Sequence, residues 1–389
     1  MTQPLAAYDV PVIDVDSHYT EPPDLWTSRA PASYRERMPQ VRPNKDGDEH
    51  WYVDQDVDFG PLGLTVVKSD GSKEYGAYSL PTFEEMSAAA SYPGPRLEML
   101  DHLGISQQII YPNVAGFGSH RFMMLQDSEL RNLCARIYND AAIELQEAGK
   151  GRLFPQAVTP FWDIDECLRE LRRMKDAGIT GIVMTDTPEL FRLPYLHEPH
   201  WDPLWSTCQE MGIPVNFHVG AGQNLWQRMM WKGYGPQRNL AAISVSLFMI
   251  QCKTIMNLIL SGLLDRYPNL NFVSVESGIG WIPFLLEALE WQYDETIPDE
   301  RENLSLRPKE YFQRQVYASF WFEQWGPLHA IEELGVDNVM FETDFPHPTC
   351  LYPDAQTQIT ETLGQLDPTV RRKVLHDTAK RVYNLPPAP

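Results

Sequence analysis

The sequence predicts an α/β fold, a (β/α)8 TIM barrel with a lid segment inserted after strand one. Three observations carry that prediction. Short apolar, β-branched runs recur eight times along the 389 residues. Segments with helical spacing alternate with them, as βαβ units require. Gly or Pro stops precede several of the runs, as in Ala177-Gly178-Ile179 and Met211-Gly212-Ile213-Pro214, which is how helix-to-strand turns are built. Eight such units in series point to a closed cylinder rather than an open sheet.

The strands are expected at residues 12–16, 107–112, 153–159, 181–185, 214–219, 271–276, 316–322 and 338–343. Helices are expected at 128–148, 164–177, 203–211, 244–264, 281–293 and 326–334, with a closing pair after Pro353. The rhythm breaks from about 19 to 95, where Pro, Gly and Asp dominate and only 50–53 and 64–68 look strand-like. That stretch is expected to cap the barrel mouth within a single domain spanning 1–389. A shorter excursion, 221–240, follows strand five.

Composition removes several function classes. A formal charge of −21 supplies no basic face for nucleic acid or an anionic membrane. The five cysteines are odd in number and show no CxxC spacing, which argues against a disulfide framework or a structural zinc cluster and for a reducing compartment. No basic-then-apolar leader and no run of eighteen apolar residues is present, so a cytoplasmic protein without a membrane partner is expected. A homodimer is the default assembly.

Barrel enzymes carry their chemistry at the carboxyl ends of the strands. Strand one ends Asp14-Val15-Asp16-Ser17-His18, and a period of two turns Asp16 and His18 to one face, with Asp14 deeper as a support. Glu21 follows within reach of the same mouth. Strand five ends in His218, which taken alone is more often a hydrogen-bonded interior histidine than a ligand. Strand six is apolar until Glu276, a carboxylate that needs a cation or several hydrogen bonds if buried. Strand eight ends Glu342-Thr343-Asp344-Phe345-Pro346-His347. Asp16, His18, His218, Glu276, Asp344 and His347, with Glu21 as a seventh, form a mixed oxygen and nitrogen donor set without thiolate, suited to iron, manganese or zinc and large enough for two ions.

These residues carry a resemblance. The segments 12–18 with Glu21-Pro22, Asn216-Phe217-His218-Val219-Gly220 and 342–347 resemble the amidohydrolase-related barrels of the decarboxylase branch. The resemblance implies a divalent metal held by Asp16, His18, His218 and Asp344. The chain departs from the pattern in three places. Asp16 stands where hydrolases of the family have histidine and decarboxylases often glutamate; Glu276 stands where strand six commonly ends in histidine; and Met184-Thr185-Asp186 offers no lysine at the end of strand four.

The strings VDSHYTEPPDLW, SVESGIGWIPFLLEALEW, ASFWFE and ETDFPHPTCLYP resemble more narrowly a subgroup containing the platensimycin-pathway type of nonheme diiron monooxygenase. That resemblance implies two iron ions, O2 and an electron donor, and hydroxylation of a terpenoid or steroid-like acid as its coenzyme A thioester in diterpenoid biosynthesis. Glu276, His218 and Asp344 would be the catalytic groups. A mononuclear Zn- or Mn-dependent decarboxylase or hydrolase is the alternative. Aromatic residues at 225–231 and 320–325 either line an apolar pocket or pack the insertion onto the barrel; Lys68, Arg121, Arg228, Lys232 and Arg238 either meet a coenzyme phosphate or are solvated surface.

Overall fold

The computed structural model describes residues 10–222 and 230–389. Eight parallel strands form the centre: β1 (Val12–Asp14), β2 (Ile105–Pro112), β3 (Leu153–Pro155, continued after Gln156 as Ala157–Val158), β4 (Ile182–Val183), β5 (Val215–His218), β6 (Phe272–Val275), β7 (Val316–Phe320) and β8 (Val339–Phe341). Each pairs in parallel with the next, from β1–β2 to β7–β8. The ring closes where β8 meets β1: Val15 N–H donates to Phe341 O (3.1 Å), and Asp344 N–H donates to Asp16 O (2.9 Å). The expected barrel is therefore present, and its closing seam runs through two of the candidate ligands.

The helices start where the capping residues dictate. Asp127 accepts the N–H groups of Glu129 and Leu130 and opens Ser128–Ala148; Asp163 accepts that of Glu166 and opens Ile164–Asp176. Gly212, in the left-handed region at φ 61°, ends Asp202–Met211 and releases the chain into β5.

Three elements differ from expectation. Helix Pro93–Leu103 precedes β2, where the triplet Pro93-Gly94-Pro95 reads as loop; proline at the first helical turn loses no hydrogen bond, so the helix forms. The helix after β5 begins at Pro236 rather than 244 and ends at Leu260. Residues 326–334 divide into the short helices Trp325–His329 and Ile331–Leu334. In the insertion, 50–53 belongs to Glu49–Val53, the middle of a three-stranded antiparallel sheet with Gln40–Pro43 and Val57–Pro61. Residues 64–68 form only isolated bridges, Val67 with Lys73 and Lys68 with Met86.

Candidate metal centre

Strand ends deliver the acids and imidazoles to one point. Beyond β1, the carbonyl of Asp16 is tied to β8, and His18 N–H donates to Phe345 O at 2.6 Å. Arg96, itself buried, donates from beneath to the carbonyls of His18 and Ala90 and to Gln108 Oε1, so the turn carrying His18 is held by a guanidinium rather than by water. Asp14 accepts from Thr343 N–H (2.9 Å), Thr343 Oγ1 (2.6 Å) and Gln108 Nε2 (2.8 Å), the supporting role expected of it. Burial raises its pKa to about 6 against those bonds.

Glu276 and Asp344 leave β6 and β8 with φ of 57° and 58°. A side chain with a Cβ pays on the order of 1–3 kcal/mol for that region, and such strain concentrates where a group must be aimed. Here it aims both carboxylates at the barrel axis.

The donors converge as two overlapping groups, Asp16–His18–His218–Glu276 and His18–Glu276–Asp344–His347, each with its ligand atoms within 4.8 Å of one another. His218 Nε2 lies 3.2 Å from His18 Nε2, 3.4 Å from Asp16 Oδ2 and 3.6 Å from Glu276 Oε2. His18 Nε2 lies 3.5 Å from Asp16 Oδ1 and 3.7 Å from Asp344 Oδ1. His218 Nδ1 donates to Val219 O (2.8 Å), which fixes the tautomer and turns the Nε2 lone pair inward. His347 faces Asp344 Oδ1 with Nδ1 (3.0 Å) and Asn113 Oδ1 with Nε2 (2.9 Å), so both its nitrogens already have polar neighbours. Glu21 stands apart from both groups: its oxygens accept the N–H groups of Asn113 and Val114. There it anchors the loop after β2 instead of facing the shared cation position.

The electrostatics describe a cage built for positive charge. Asp16 is fully buried and neither of its oxygens has a hydrogen-bond partner. Burial, then the charge of Asp344 and of Asp14, pushes its carboxyl well up. Burial, then Asp344, Asp16 and Glu342, does the same to Glu276. Burial lowers the His218 imidazole to about 4 and holds His18 well below the usual range, so both rings are neutral donors near pH 7. A buried acid without partners, Asp16, beside two further carboxylates and neutral imidazoles fits a divalent ion, which would reverse the penalty on the acids.

A cavity of about 890 Å³ opens above the cage, with Glu276, Asp344 and His347 in its lining. Phe59, Leu64 and Tyr78 of the insertion line it too, facing Ile243, Leu247 and Phe248 of helix Pro236–Leu260. Arg121 is the cation among its described lining residues. Of the other expected basic residues, Lys68 pairs with Glu74, Lys232 and Arg238 are exposed, and Arg228 lies outside the described residues, as do 225–229 of the aromatic stretch. Trp321 packs edge-on against Phe248 behind the wall rather than lining the cavity.

Sequence reasoning missed Asn113, Arg96 and Phe117, whose ring lies 4.9 Å from His18 and 4.5 Å from His218. These come from loops and a helix without a repeating pattern. It also passed over Glu342, buried beneath Glu276 with Glu276 N–H 3.4 Å from its Oε2. The period-two rule applied to Asp16 and His18 pairs Glu342 with Asp344 as well.

A closed barrel with a buried carboxylate and imidazole cage at its strand ends belongs to the class of barrels that carry their functional groups at the carboxyl ends of the strands, here a candidate metal site. The chain is a member of the amidohydrolase family, whose model (Amidohydro_2, amidohydrolase) matches residues 13–385. It is similar to the gamma-resorcylate decarboxylase of Rhizobium radiobacter, 23% identical over 305 residues that cover 75% of this chain and 86% of that one. Among solved structures it is similar in fold to an amidohydrolase from Mycobacterium avium subsp. paratuberculosis K-10, with TM-score 0.74 and 20% identity, covering 97% and 100% of the two chains. It is likewise similar to a dihydroxybenzoic acid decarboxylase from Polaromonas sp. JS666 with bound manganese, with TM-score 0.63 and 18% identity, covering 97% of each chain.

These relatives correct the expectation of a diiron monooxygenase. The curated relative and the manganese-bound neighbour are decarboxylases, so oxidoreductase chemistry on a terpenoid coenzyme A thioester, with O2 and an electron donor, is set aside. The expectation of two irons goes with it, since the neighbour binds manganese and the donors here form one compact cage whose two groups share His18 and Glu276. The physical reason is that a carboxylate at the end of β6 does not by itself select a redox metal. A buried glutamate serves proton transfer equally well.

Proposed function

We propose that this protein is a non-oxidative decarboxylase of a small-molecule aromatic acid, using one divalent ion, manganese or zinc. The observation that carries the reading is the fully buried, unpartnered Asp16 carboxylate facing His18 and His218, in one donor group with Glu276, which lines the cavity together with Asp344. The decarboxylase relatives support it.

Asp16, His18, His218 and Asp344 would hold the ion. Bound there, it would supply Lewis-acid polarisation of oxygens on the substrate. The remaining work falls to side chains. In the reaction the bond from ring carbon to carboxyl carbon breaks, its electron pair stays on the ring, CO2 leaves, and a proton takes its place. Glu276 is the group placed to deliver that proton. Its carboxyl reaches the cavity, and the largest cause of its raised pKa is burial, which persists when a cation offsets the charges of Asp344 and Asp16. His347, set between Asp344 and Asn113, holds Asp344 in orientation. Phe117 shields His18 and His218 from water. The insertion closes the mouth through Phe59, Leu64 and Tyr78. The free state of all five cysteines supports a reducing, cytoplasmic setting.

The test is a panel of hydroxylated benzoic acids incubated anaerobically with the manganese- or zinc-loaded protein, following CO2 release. About one ion per chain and turnover without O2 support the reading. Two irons per chain and turnover only with O2 uptake overturn it.

A further inference from the structure

Strand β7 contributes no member of the two donor groups found among the described residues, yet it holds the turn that carries one of those donors. Just past its end, Glu323 reaches back toward β6. Its Oε2 accepts Ile279 N–H and its Oε1 accepts Gly280 N–H, both at 2.7 Å. A carboxylate gripping two successive amides makes charge-assisted bonds, roughly twice as strong as neutral ones. The two amides follow closely on Glu276, in the turn that leads from β6 into helix Ile282–Glu295.

The turn is shaped around that carboxylate. A Cβ on Gly278 would stand 2.9 Å from Glu323 Oε2, and one on Gly280 or Gly326 would stand 2.8 Å from Oε1. The glycines leave the space, and Glu323 fills it. The grip is anchored from behind as well, since Glu323 O accepts from Gln358 Nε2 (2.8 Å) of helix Ala355–Glu361. On the near side Ser319 Oγ of β7 accepts Glu276 N–H at 3.2 Å, and Trp281 Nε1 donates to Ser277 O (2.8 Å).

Glu276 needs such support. Its φ of 57° is a conformation that a residue with a Cβ keeps only where the surroundings impose it. Relaxation to an ordinary φ would swing its carboxyl away from the cavity it lines. We propose that Glu323 is the positioning residue for Glu276: by fixing Ile279 and Gly280 it holds the strained turn and keeps the Glu276 carboxyl aimed into the cavity. The inference rests on the reading of Glu276 as the proton donor. The rival role is a cap, because the same amides precede the first turn of helix Ile282–Glu295. A cap stabilises the helix and leaves the aim of Glu276 alone.

The experiment compares the manganese-loaded wild type with Glu323→Ala and Glu323→Gln by crystal structure, metal content, and kcat and KM for CO2 release. In Glu323→Ala the Glu276 carboxyl is expected to move by at least about 1 Å and kcat to fall about 10²-fold, the loss that a misplacement of that size can cause. KM should stay within about twofold, with unchanged metal content, because substrate and ion keep their own contacts. Glu323→Gln retains one acceptor oxygen and should fall between the two; should the alanine variant misfold, it decides alone. A Glu276 carboxyl that keeps its wild-type place, or a melting temperature that drops while kcat does not, overturns the inference and leaves a helix cap. If the wild type releases CO2 from no aromatic acid, the proposed reaction fails, and the place of Glu276 in the variant structures still decides the role of Glu323.

Discussion

Replacing Asp16 by asparagine should have opposite effects on the empty and the loaded protein. Asp16 is fully buried without a hydrogen-bond partner, and its oxygen lies within 4.8 Å of that of Glu276. Two unit charges at that separation repel by about 3.5 kcal/mol at an effective dielectric constant near 20. Partial protonation already relieves some of this, because both carboxyls are pushed above their ordinary range. Asp16→Asn should therefore stabilise the chelated protein by about 1–3 kcal/mol at pH 8, worth roughly 1–4 °C for a chain of this size.

The gain depends on pH in a defined direction. A carboxyl whose folded pKa is raised costs nothing below its ordinary value of 3.8 and costs progressively more as pH rises through the folded value. The advantage of asparagine should thus vanish near pH 4 and grow toward pH 8. With manganese in excess the order reverses, since an ion at about 1,000 times its Kd stabilises by roughly 4 kcal/mol and the variant forfeits much of that. Thermal unfolding of both proteins, with chelator and with manganese, across that pH range checks this. A variant that is equally destabilised with and without the ion would refute the cage.

Three further outcomes follow from the same geometry. Glu276→Gln should keep its ion, by elemental analysis, while turnover falls about 10²–10⁴-fold, the usual worth of a general acid; loss of the ion would move Glu276 into the ligand set. His218→Ala should fold normally and lose the ion, because the Nε2 that Val219 O turns inward is gone; full metal content would show the imidazole to be structural. Gly118→Ala places a Cβ 2.6 Å from the backbone nitrogen of Thr185, so the loop carrying Phe117 must shift. A lowered melting temperature and weaker metal binding are expected, and unchanged values for both would disprove the close approach.

Much of the barrel and of its polar cage is legible in the sequence. The eight strands declare themselves as β-branched runs, and Asp16, His18, His218, Glu276 and Asp344 stand at strand ends where periodicity places them. What stayed hidden depends on contacts between distant segments. Arg96 reads as an ordinary helical cation and is in fact the buried support under His18. Glu21 shares the polarity of the ligands, yet the backbone of Asn113 and Val114 claims it. The three-stranded sheet of the insertion escaped because Gly60 and Pro61 interrupt the alternation that marks a strand. The reaction was the least legible feature, since a donor set restricts which ion binds far more than what that ion is used for.

The seam between the first and last strands bears on how the protein is made. Asp16 is synthesised 328 residues before Asp344, whose N–H closes the ring onto it. No earlier fragment can complete the cage, so a growing polypeptide carries exposed acids and imidazoles but no finished trap for an ion. Loading of the proposed ion would thereby be deferred until the cylinder shuts, and the ion captured would depend on what the compartment offers at that moment.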